Sequence, residues 1–203
     1  MTKKIIRIIN IIIIITLVAS EETKEEKVAI TCGSIIKLSN EKTGHRLHSH
    51  SVTYGTGSRQ QSVTGFPEGN DVNSFWIVRG ATGTECKQGE AINDGDIITL
   101  EHLVTRKRLH SHPHKSPLSN QQEVSAYDGK DVRDNWIVIT QGQWIRDNVV
   151  VLKHLDSNQF LHNHLKEYGR PIPHQTEISC VSSSKGKEVK WRVVEGIFFP
   201  QIH

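Results

Sequence analysis

Short apolar runs of strand-forming residues recur along the chain, and clusters of Gly, Asn, Asp, Ser and Pro separate them. Three of these runs end in a leucine that a second leucine follows nine residues later. The pairs are Leu38 and Leu47, Leu100 and Leu109, and Leu152 and Leu161. After residue 27 no stretch keeps the apolar period of an amphipathic helix. Strand-length runs bounded by turn formers predict an all-β domain.

The runs belong to a unit that occurs three times. The string Arg-Leu-His-Ser-His at 46–50 returns letter for letter at 108–112, and a looser copy stands at 160–164. A glutamine-led strand follows each copy, at 60–64, 121–125 and 175–179, and a strand that begins with Trp76, Trp136 or Trp191 closes each unit. The predicted repeats therefore cover residues 28–80, 91–142 and 144–197.

Three units of four strands predict a β-trefoil of about 12 strands with pseudo-threefold symmetry. Two strands of each unit would build a six-stranded barrel, and the other two would form a hairpin that caps one end. Closing the barrel removes exposed sheet edges. Leu38, Leu47, Val63, Trp76 and their counterparts are expected to fill the core. A three-bladed propeller has the same repeat count, but three such units are too few to close one.

The N-terminal segment has the layout of a cleavable secretory signal. Lys3, Lys4 and Arg7 form a basic start, an apolar run reaches Val18, and a polar stretch follows Ser20. A membrane anchor is the alternative, but the apolar run is shorter than the roughly 20 residues that span a bilayer. We expect residues 1–20 to be removed, residues 21–27 to form a polar leader, and residues 28–199 to form the domain, with no membrane association after cleavage.

Removal of that signal changes the charge balance. The whole chain has 25 Lys and Arg against 22 Asp and Glu, and the signal holds three of the basic residues and none of the acidic ones. The remaining chain is then balanced at 22 against 22. A nucleic-acid-binding protein would carry a basic stripe, so we expect no nucleic-acid partner.

The chain has three cysteines, Cys32, Cys86 and Cys180. An oxidising compartment permits one disulfide and leaves one thiol. The first and fourth strands of a trefoil unit are neighbours in the barrel. Cys32 opens the first strand of repeat one and Cys86 follows its fourth, so we predict a Cys32–Cys86 disulfide and a buried thiol at Cys180.

Histidines recur as i, i+2 sets, which a strand directs to one face. Two imidazoles on one face are able to bind a metal ion, but these sets recur because the repeat recurs. We expect structural or surface histidines, no metal and no cofactor. The members are His48 and His50; His110, His112 and His114; and His162 and His164. No His-Glu-x-x-His, Gly-x-Ser-x-Gly or Walker-type sequence occurs, so we expect no catalytic residue and no enzymatic activity.

The loop from Tyr54 to Arg59 is the predicted binding segment. Tyr54 would offer a stacking face, Gly55 would allow close approach of the main chain, and Arg59, Gln60 and Gln61 would provide planar hydrogen-bonding groups. An ordinary hairpin turn is the alternative. Repeats two and three carry different loops, so we expect repeat one to bind first. We also expect Tyr54 and Arg59 to lie on the surface, where their truncation changes stability little.

The three units resemble MIR motifs, named for protein O-mannosyltransferases, inositol trisphosphate receptors and ryanodine receptors. Several segments are similar to the stromal cell-derived factor 2 family in the same order along residues 28–199. They are Thr31-Cys32-Gly33-Ser34, Leu47-His48-Ser49-His50, Tyr54-Gly55-Thr56-Gly57-Ser58, residues 60–65 and Glu195-Gly196-Ile197-Phe198. The resemblance implies a β-trefoil in the endoplasmic reticulum lumen that associates with Hsp40- and Hsp70-type chaperones in quality control of secreted proteins.

Two functions follow as expectations. The first is a non-enzymatic, monomeric binding module, accessory to luminal chaperones, whose clients are unfolded or O-mannosylated proteins. The alternative is a lectin-like trefoil that binds glycans directly through its hairpin loops. The chain ends Pro200-Gln201-Ile202-His203 and has no HDEL-like tail, so either the endoplasmic reticulum lumen or secretion is expected.

Overall fold

The computed structural model describes residues 27–202. The predicted signal peptide and residues 21–26 of the predicted leader lie outside the described residues. Twelve strands form one sheet: β1 (Ile35–Asn40), β2 (Arg46–Thr53), β3 (Gln61–Phe66), β4 (Trp76–Gly80), β5 (Ile97–His102), β6 (Arg108–Lys115), β7 (Gln122–Tyr127), β8 (Trp136–Ile139), β9 (Val151–His154), β10 (Phe160–Glu167), β11 (Thr176–Val181) and β12 (Trp191–Ile197). Single 3-10 turns at Val72–Ser74 and Val132–Asp134 precede β4 and β8. The all-β class predicted from the sequence is confirmed.

Six strands form a closed barrel. Antiparallel pairs join β12 to β1, β1 to β4, β4 to β5, β5 to β8, and β8 to β9. Val150 and Trp191 close the ring by exchanging two main-chain hydrogen bonds of 2.9 Å. Because every strand has a partner on both sides, the barrel exposes no free sheet edge.

The other six strands form three hairpins, β2–β3, β6–β7 and β10–β11, which we call the hairpin cap. The return strands β3, β7 and β11 pair with one another in a triangle. A six-stranded barrel with a triangle of hairpins is the β-trefoil arrangement that the repeats predict.

The predicted core residues are all inaccessible to solvent. The four positions of each repeat have 0% exposure: Leu38, Leu47, Val63 and Trp76; Leu100, Leu109, Val124 and Trp136; Leu152, Leu161, Ile178 and Trp191. Each tryptophan also donates its indole N–H to the carbonyl oxygen of the hairpin leucine in the same repeat, at 2.9–3.0 Å. A buried indole N–H needs such a partner, so the tryptophan fixes the hairpin on the barrel.

Three main-chain hydrogen bonds close the end of the barrel opposite the cap. Ile30 donates to Trp144, Trp144 to Ile92, and Ile92 to Ile30, at 2.8–3.2 Å. All three side chains are buried. Trp144 was not among the predicted core residues because it stands outside the repeated strands.

The predicted disulfide is present. Cys32 and Cys86 are bonded, with their Cα atoms 6.0 Å apart, a usual separation for a disulfide. Cys180 is a free, buried thiol, and burial raises its pKa to about 12. No helix within residues 27–202 has the length and apolar character to span a membrane.

Candidate functional site in the hairpin cap

Three loops meet at the cap, residues 54–60, 116–121 and 168–175. The first residue of each loop donates its main-chain N–H to the carbonyl oxygen of a glutamine at or near the loop's end. The donor and acceptor pairs are Tyr54 and Gln60, Ser116 and Gln121, and Tyr168 and Gln175. The residue before each glutamine has a positive φ: 60° at Arg59, 59° at Asn120 and 64° at His174. The loops therefore share a closing main-chain hydrogen bond and a positive-φ residue although their sequences differ.

The glutamines at these three positions tie the repeats together. A hydroxyl of the next repeat in the cycle donates to each side-chain oxygen. The bonds run from Ser125 to Gln60 at 2.6 Å, from Ser179 to Gln121 at 2.5 Å, and from Thr64 to Gln175 at 2.5 Å. The carboxamide oxygen of Gln60, predicted as a ligand-binding group, thus makes a contact that is internal to the fold.

Gln61 is also occupied inside the fold. Its side chain is only 2% exposed, and its amide donates to the hydroxyls of Ser49 and Thr105, both at 2.8 Å. Thr105 lies in the β5–β6 turn of the second repeat, so Gln61 links two repeats.

The expectation of a surface tyrosine at position 54 is wrong. Tyr54 is only 5% exposed, and its hydroxyl lies 2.9 Å from the carbonyl oxygens of both Val63 and Val124. Burial raises the pKa of the phenol. The sequence could not show this, because a tyrosine beside glycines is found both at exposed turns and under them.

Gly55 and Arg59 do lie on the surface. A Cβ at Gly55 would meet open space, whereas Gly57 is held at a φ of 65° against the carboxylate of Glu123. Of the five predicted residues, Gly55 and Arg59 are the exposed ones.

Two carboxylates that the sequence analysis missed hold the loops in place. Glu123 and Glu177 are 0% exposed. Glu123, in repeat two, accepts hydrogen bonds from the hydroxyl and main-chain N–H of Ser58 in repeat one. Glu177, in repeat three, accepts from the N–H of Leu118 in repeat two at 2.6 Å. Each carboxylate therefore anchors the loop of the preceding repeat. The signal is visible in the sequence, because an acid follows the glutamine strand start at 123 and 177, where repeat one has Ser62.

Histidines of the i, i+2 sets pair with these acids. His112 lies 3.0 Å from Glu123, and His164 lies 2.9 Å from Glu177. Paired with a histidine, each buried carboxylate has a partner that a buried charge requires. Within residues 27–202 no group of three or more His, Cys, Asp and Glu is placed to hold a metal ion.

In the first two sets the first histidine lies deeper than the second: His48 is 2% and His110 1% exposed. His48 stacks on Phe66 with ring centroids 4.7 Å apart, and lies 3.5 Å from Asp71. Burial lowers the pKa of His48 to about 4, although Asp71 opposes the shift. His162 behaves in the same way, with a pKa lowered to about 4 by burial.

A cleft of about 220 Å³ opens between the first and third cap loops. Its walls are mainly apolar and include Tyr54, Pro117, Tyr168, Pro171 and Ile172. Gly55 and Gly169 lie at its rim, where added side chains would meet open space. The hydroxyl of Tyr168 is buried, and the ring centroids of Tyr54 and Tyr168 are 6.3 Å apart. Ser116 occupies the position that Tyr54 and Tyr168 hold in the other repeats.

A larger depression of about 400 Å³ lies on the barrel side, between β8 and β9. Ile139, Thr140, Gln141, Asn148, Val149 and Val151 line it, and none of them is charged. The cap cleft combines aromatic walls with a charged residue, Arg170, so the cap is the better candidate for a binding site.

Comparison with known proteins agrees with this architecture. The family model for the MIR domain matches residues 45–191. A stromal cell-derived factor 2-like protein of Arabidopsis thaliana is 46% identical over 87% of this chain and 83% of its own length. A protein of the same name from Dictyostelium discoideum is 44% identical over 98% of this chain and 99% of its own length.

Solved structures give the same picture. The crystal structure of the Arabidopsis SDF2-like protein superposes with a TM-score of 0.84 at 45% identity, covering 87% of this chain and all of that one (100%). A Saccharomyces cerevisiae protein O-mannosyltransferase Pmt1-Pmt2 complex bound to the sugar donor matches with a TM-score of 0.76 at 31% identity, over 88% of this chain and 27% of that chain. The β-trefoil BEL matches in fold alone, with a TM-score of 0.52 at 13% identity over 82% of this chain and 97% of its own.

Proposed function

The chain belongs to the stromal cell-derived factor 2-like family of MIR-domain proteins, and from that premise we propose that it is a non-enzymatic binding module of the secretory pathway. In this proposal it is accessory to Hsp40- and Hsp70-type chaperones of the endoplasmic reticulum lumen. Its clients are unfolded or O-mannosylated proteins on their way to secretion.

The similarity to the Pmt1-Pmt2 complex carries the proposal. The same module stands within an O-mannosyltransferase, of which this chain matches 27%. A module shared with that enzyme supports a role in handling mannosylated polypeptides. Since a fold by itself does not determine function, the surface chemistry of the cap also bears on the function.

That chemistry favours binding over catalysis. The buried acids of the cap, Glu123 and Glu177, accept hydrogen bonds from the loops they anchor and pair with His112 and His164. A general acid or base has to reach a substrate, and these carboxylates are 0% exposed. Their geometry suits a rigid loop platform.

The lumen or the extracellular space is the proposed location. A disulfide such as Cys32–Cys86 persists in oxidising compartments, and the sequence predicts a secretory signal before residue 21.

Direct glycan binding by a lectin-like trefoil is the alternative. The burial of Tyr54 counts against sugar stacking on an exposed loop tyrosine, because the residue is only 5% exposed.

The deciding experiment is affinity capture of the full chain from its native cell after mild crosslinking. We expect luminal Hsp40- and Hsp70-type chaperones and O-mannosylated clients in the captured fraction, and a mature N-terminus near Glu21. An unrelated disulfide-bonded luminal protein serves as the control. Capture of neither class, together with strong binding on a glycan array, would replace the proposal with the lectin function.

A further inference from the structure

Exposed charge at the hairpin cap is mostly positive. The exposed cations of its loops and strand ends are Arg59, Lys115, Lys166 and Arg170, and the exposed carboxylate among these described residues is Glu167. The two other cap acids, Glu123 and Glu177, are buried and paired with histidines. The barrel end mixes both signs, with exposed Lys27, Lys87 and Arg146 against Glu85, Glu90, Asp94 and Asp147.

Three of the cap cations lie in the segments that form the Tyr54–Tyr168 cleft or adjoin it. Arg170 is part of the cleft wall. Arg59 stands in the same loop as Gly55, which lines the cleft. The main chain of Lys115 packs against Gly57 of that loop, and Pro117, two residues later, lines the cleft. The apolar slot therefore has one cation in its wall and two more in adjoining segments, against one exposed acid, Glu167, beside Tyr168.

The shape of the slot suits an extended peptide. Tyr54 and Tyr168 form its inner wall, with ring centroids 6.3 Å apart. Gly55 and Gly169 leave the rim open to close approach. A volume of about 220 Å³ holds one or two side chains and is small for a folded surface.

We propose that the cap binds an extended acidic segment of a polypeptide, with one apolar side chain in the Tyr54–Tyr168 cleft and flanking carboxylates paired with Arg59, Lys115 and Arg170. The proposal rests on the proposed function as a binding module and names the class of segment recognised. Complementary charge would speed the encounter and set its orientation, and the apolar anchor would slow release.

The test uses fluorescence polarisation with a labelled synthetic peptide that places Glu and Asp around a central Leu-Pro pair, and the full mature chain. We expect saturable binding that weakens at least tenfold when ionic strength rises from about 0.01 M to about 0.15 M, because the Debye length falls from about 30 Å to about 8 Å. A peptide with Lys in place of the acids should not bind. Equal binding of both peptides would overturn the proposal.

Two variants separate the charge from the cleft. Arg59→Glu with Lys115→Glu replaces two cations with acids and should raise the Kd at least tenfold. Gly55→Phe places a bulky ring in the open space at the rim, over the mouth of the slot, and should raise the Kd by a similar factor. The matched control, Lys130→Glu with Lys185→Glu, makes the same change of net charge outside the cap loops and should bind as the wild type does. Melting curves confirm that all three proteins are folded. Full binding by either cap variant would refute the proposal.

The outcomes distinguish this inference from the proposed function. If the cap variants still capture luminal chaperones and mannosylated clients from cells, the module function stands and the assignment of the cap is wrong. If the cap binds a mannosylated neutral peptide or an anionic glycan in preference to the acidic peptide, the ligand class is wrong.

Discussion

The hydroxyl of Ser125, in the second repeat, donates a hydrogen bond of 2.6 Å to the side-chain oxygen of Gln60, in the first. Equivalent bonds from Ser179 to Gln121 and from Thr64 to Gln175 complete a cycle through all three repeats. A residue predicted to face a ligand is therefore part of the clasp that joins the three hairpins of the cap.

Gln60→Ala should destabilise the domain. It removes the acceptor of Ser125 and leaves that hydroxyl, which is buried, without its partner, at a cost of about 1–3 kcal/mol. Urea denaturation measures the loss. Arg59→Ala, at the neighbouring exposed position, is the control and should stay within about 0.5 kcal/mol. Equal stability of the two variants would show that the hydrogen bond between Ser125 and Gln60 does not stabilise the cap.

The third repeat reaches the same inter-repeat link with different residues. In repeats one and two, the side-chain amide of a glutamine donates to a serine of its own hairpin and to a hydroxyl of the next repeat. Gln61 donates to Ser49 and Thr105, and Gln122 donates to Ser111 and Ser157. Repeat three uses Asn163, which donates to Thr176 at 2.8 Å and accepts from Thr43 of repeat one at 2.5 Å. The amide has moved from one strand of the hairpin to the other.

This exchange predicts strong coupling in a double-mutant cycle. Asn163→Ser and Thr176→Gln should each cost about 1–3 kcal/mol, because each leaves buried polar groups unpaired. The double variant recreates the arrangement of repeats one and two and should recover at least about 1 kcal/mol of the summed loss.

Gly65→Ala supplies the alanine found at the equivalent position 126. It should raise the stability of the double variant and lower that of the wild type, where a Cβ would collide with Asn163 and Thr176. Additive losses in the cycle would argue against the exchange.

Truncation of Tyr54 should be severe, contrary to the expectation from the sequence. Tyr54→Ala removes a ring that is 5% exposed, and such changes cost about 3–5 kcal/mol. Tyr54→Phe keeps the ring but removes the hydroxyl that lies against the carbonyl oxygens of Val63 and Val124. It should lower the free energy of unfolding by a smaller amount, about 1–3 kcal/mol. Thermal unfolding monitored by circular dichroism ranks the two variants, and a melting temperature unchanged in Tyr54→Ala would restore the surface interpretation.

Peptide mapping without reduction should recover a Cys32–Cys86 crosslink and an unmodified Cys180. Removal of the crosslink by Cys32→Ser with Cys86→Ser should cost about 2–5 kcal/mol, since it frees a long loop in the unfolded chain. In the native protein Cys180 should resist alkylation, because burial raises the pKa of its thiol to about 12 and the thiolate is the reactive form. Rapid alkylation of Cys180 without denaturant would contradict its placement.

Stability should fall as the pH drops from about 6.5 to about 4. Burial lowers the pKa of His48 and of His162 to about 4, whereas an unfolded histidine titrates near 6.5. Within that window the unfolded chain binds more protons than the folded one, so protonation favours unfolding. His48 alone should contribute about 2–3 kcal/mol of the change. Urea titrations at several pH values should show a flatter profile for His48→Gln, whereas His114→Gln, at an exposed position, should follow the wild type.

The repeats alone determined the architecture. The regular spacing of leucine, valine or isoleucine and tryptophan places twelve side chains in one core, and each of them is buried. The Cys32–Cys86 pair could also be predicted, because strand order within one repeat brings the two residues together. These features follow from local periodicity, and that is visible in a linear sequence.

Only the tertiary structure decided what the cap residues do. Tyr54, Gln60 and Gln61 have the composition of a binding loop, but their partners Val124, Ser125 and Thr105 lie more than forty residues away in the next repeat. The role of Glu123 likewise depends on Ser58 of a different repeat. A polar side chain satisfies its hydrogen bonds with whatever the threefold packing brings within about 3 Å, and repeat spacing does not specify those partners. Contacts between repeats therefore give these residues a role in the fold that their spacing in the sequence did not indicate.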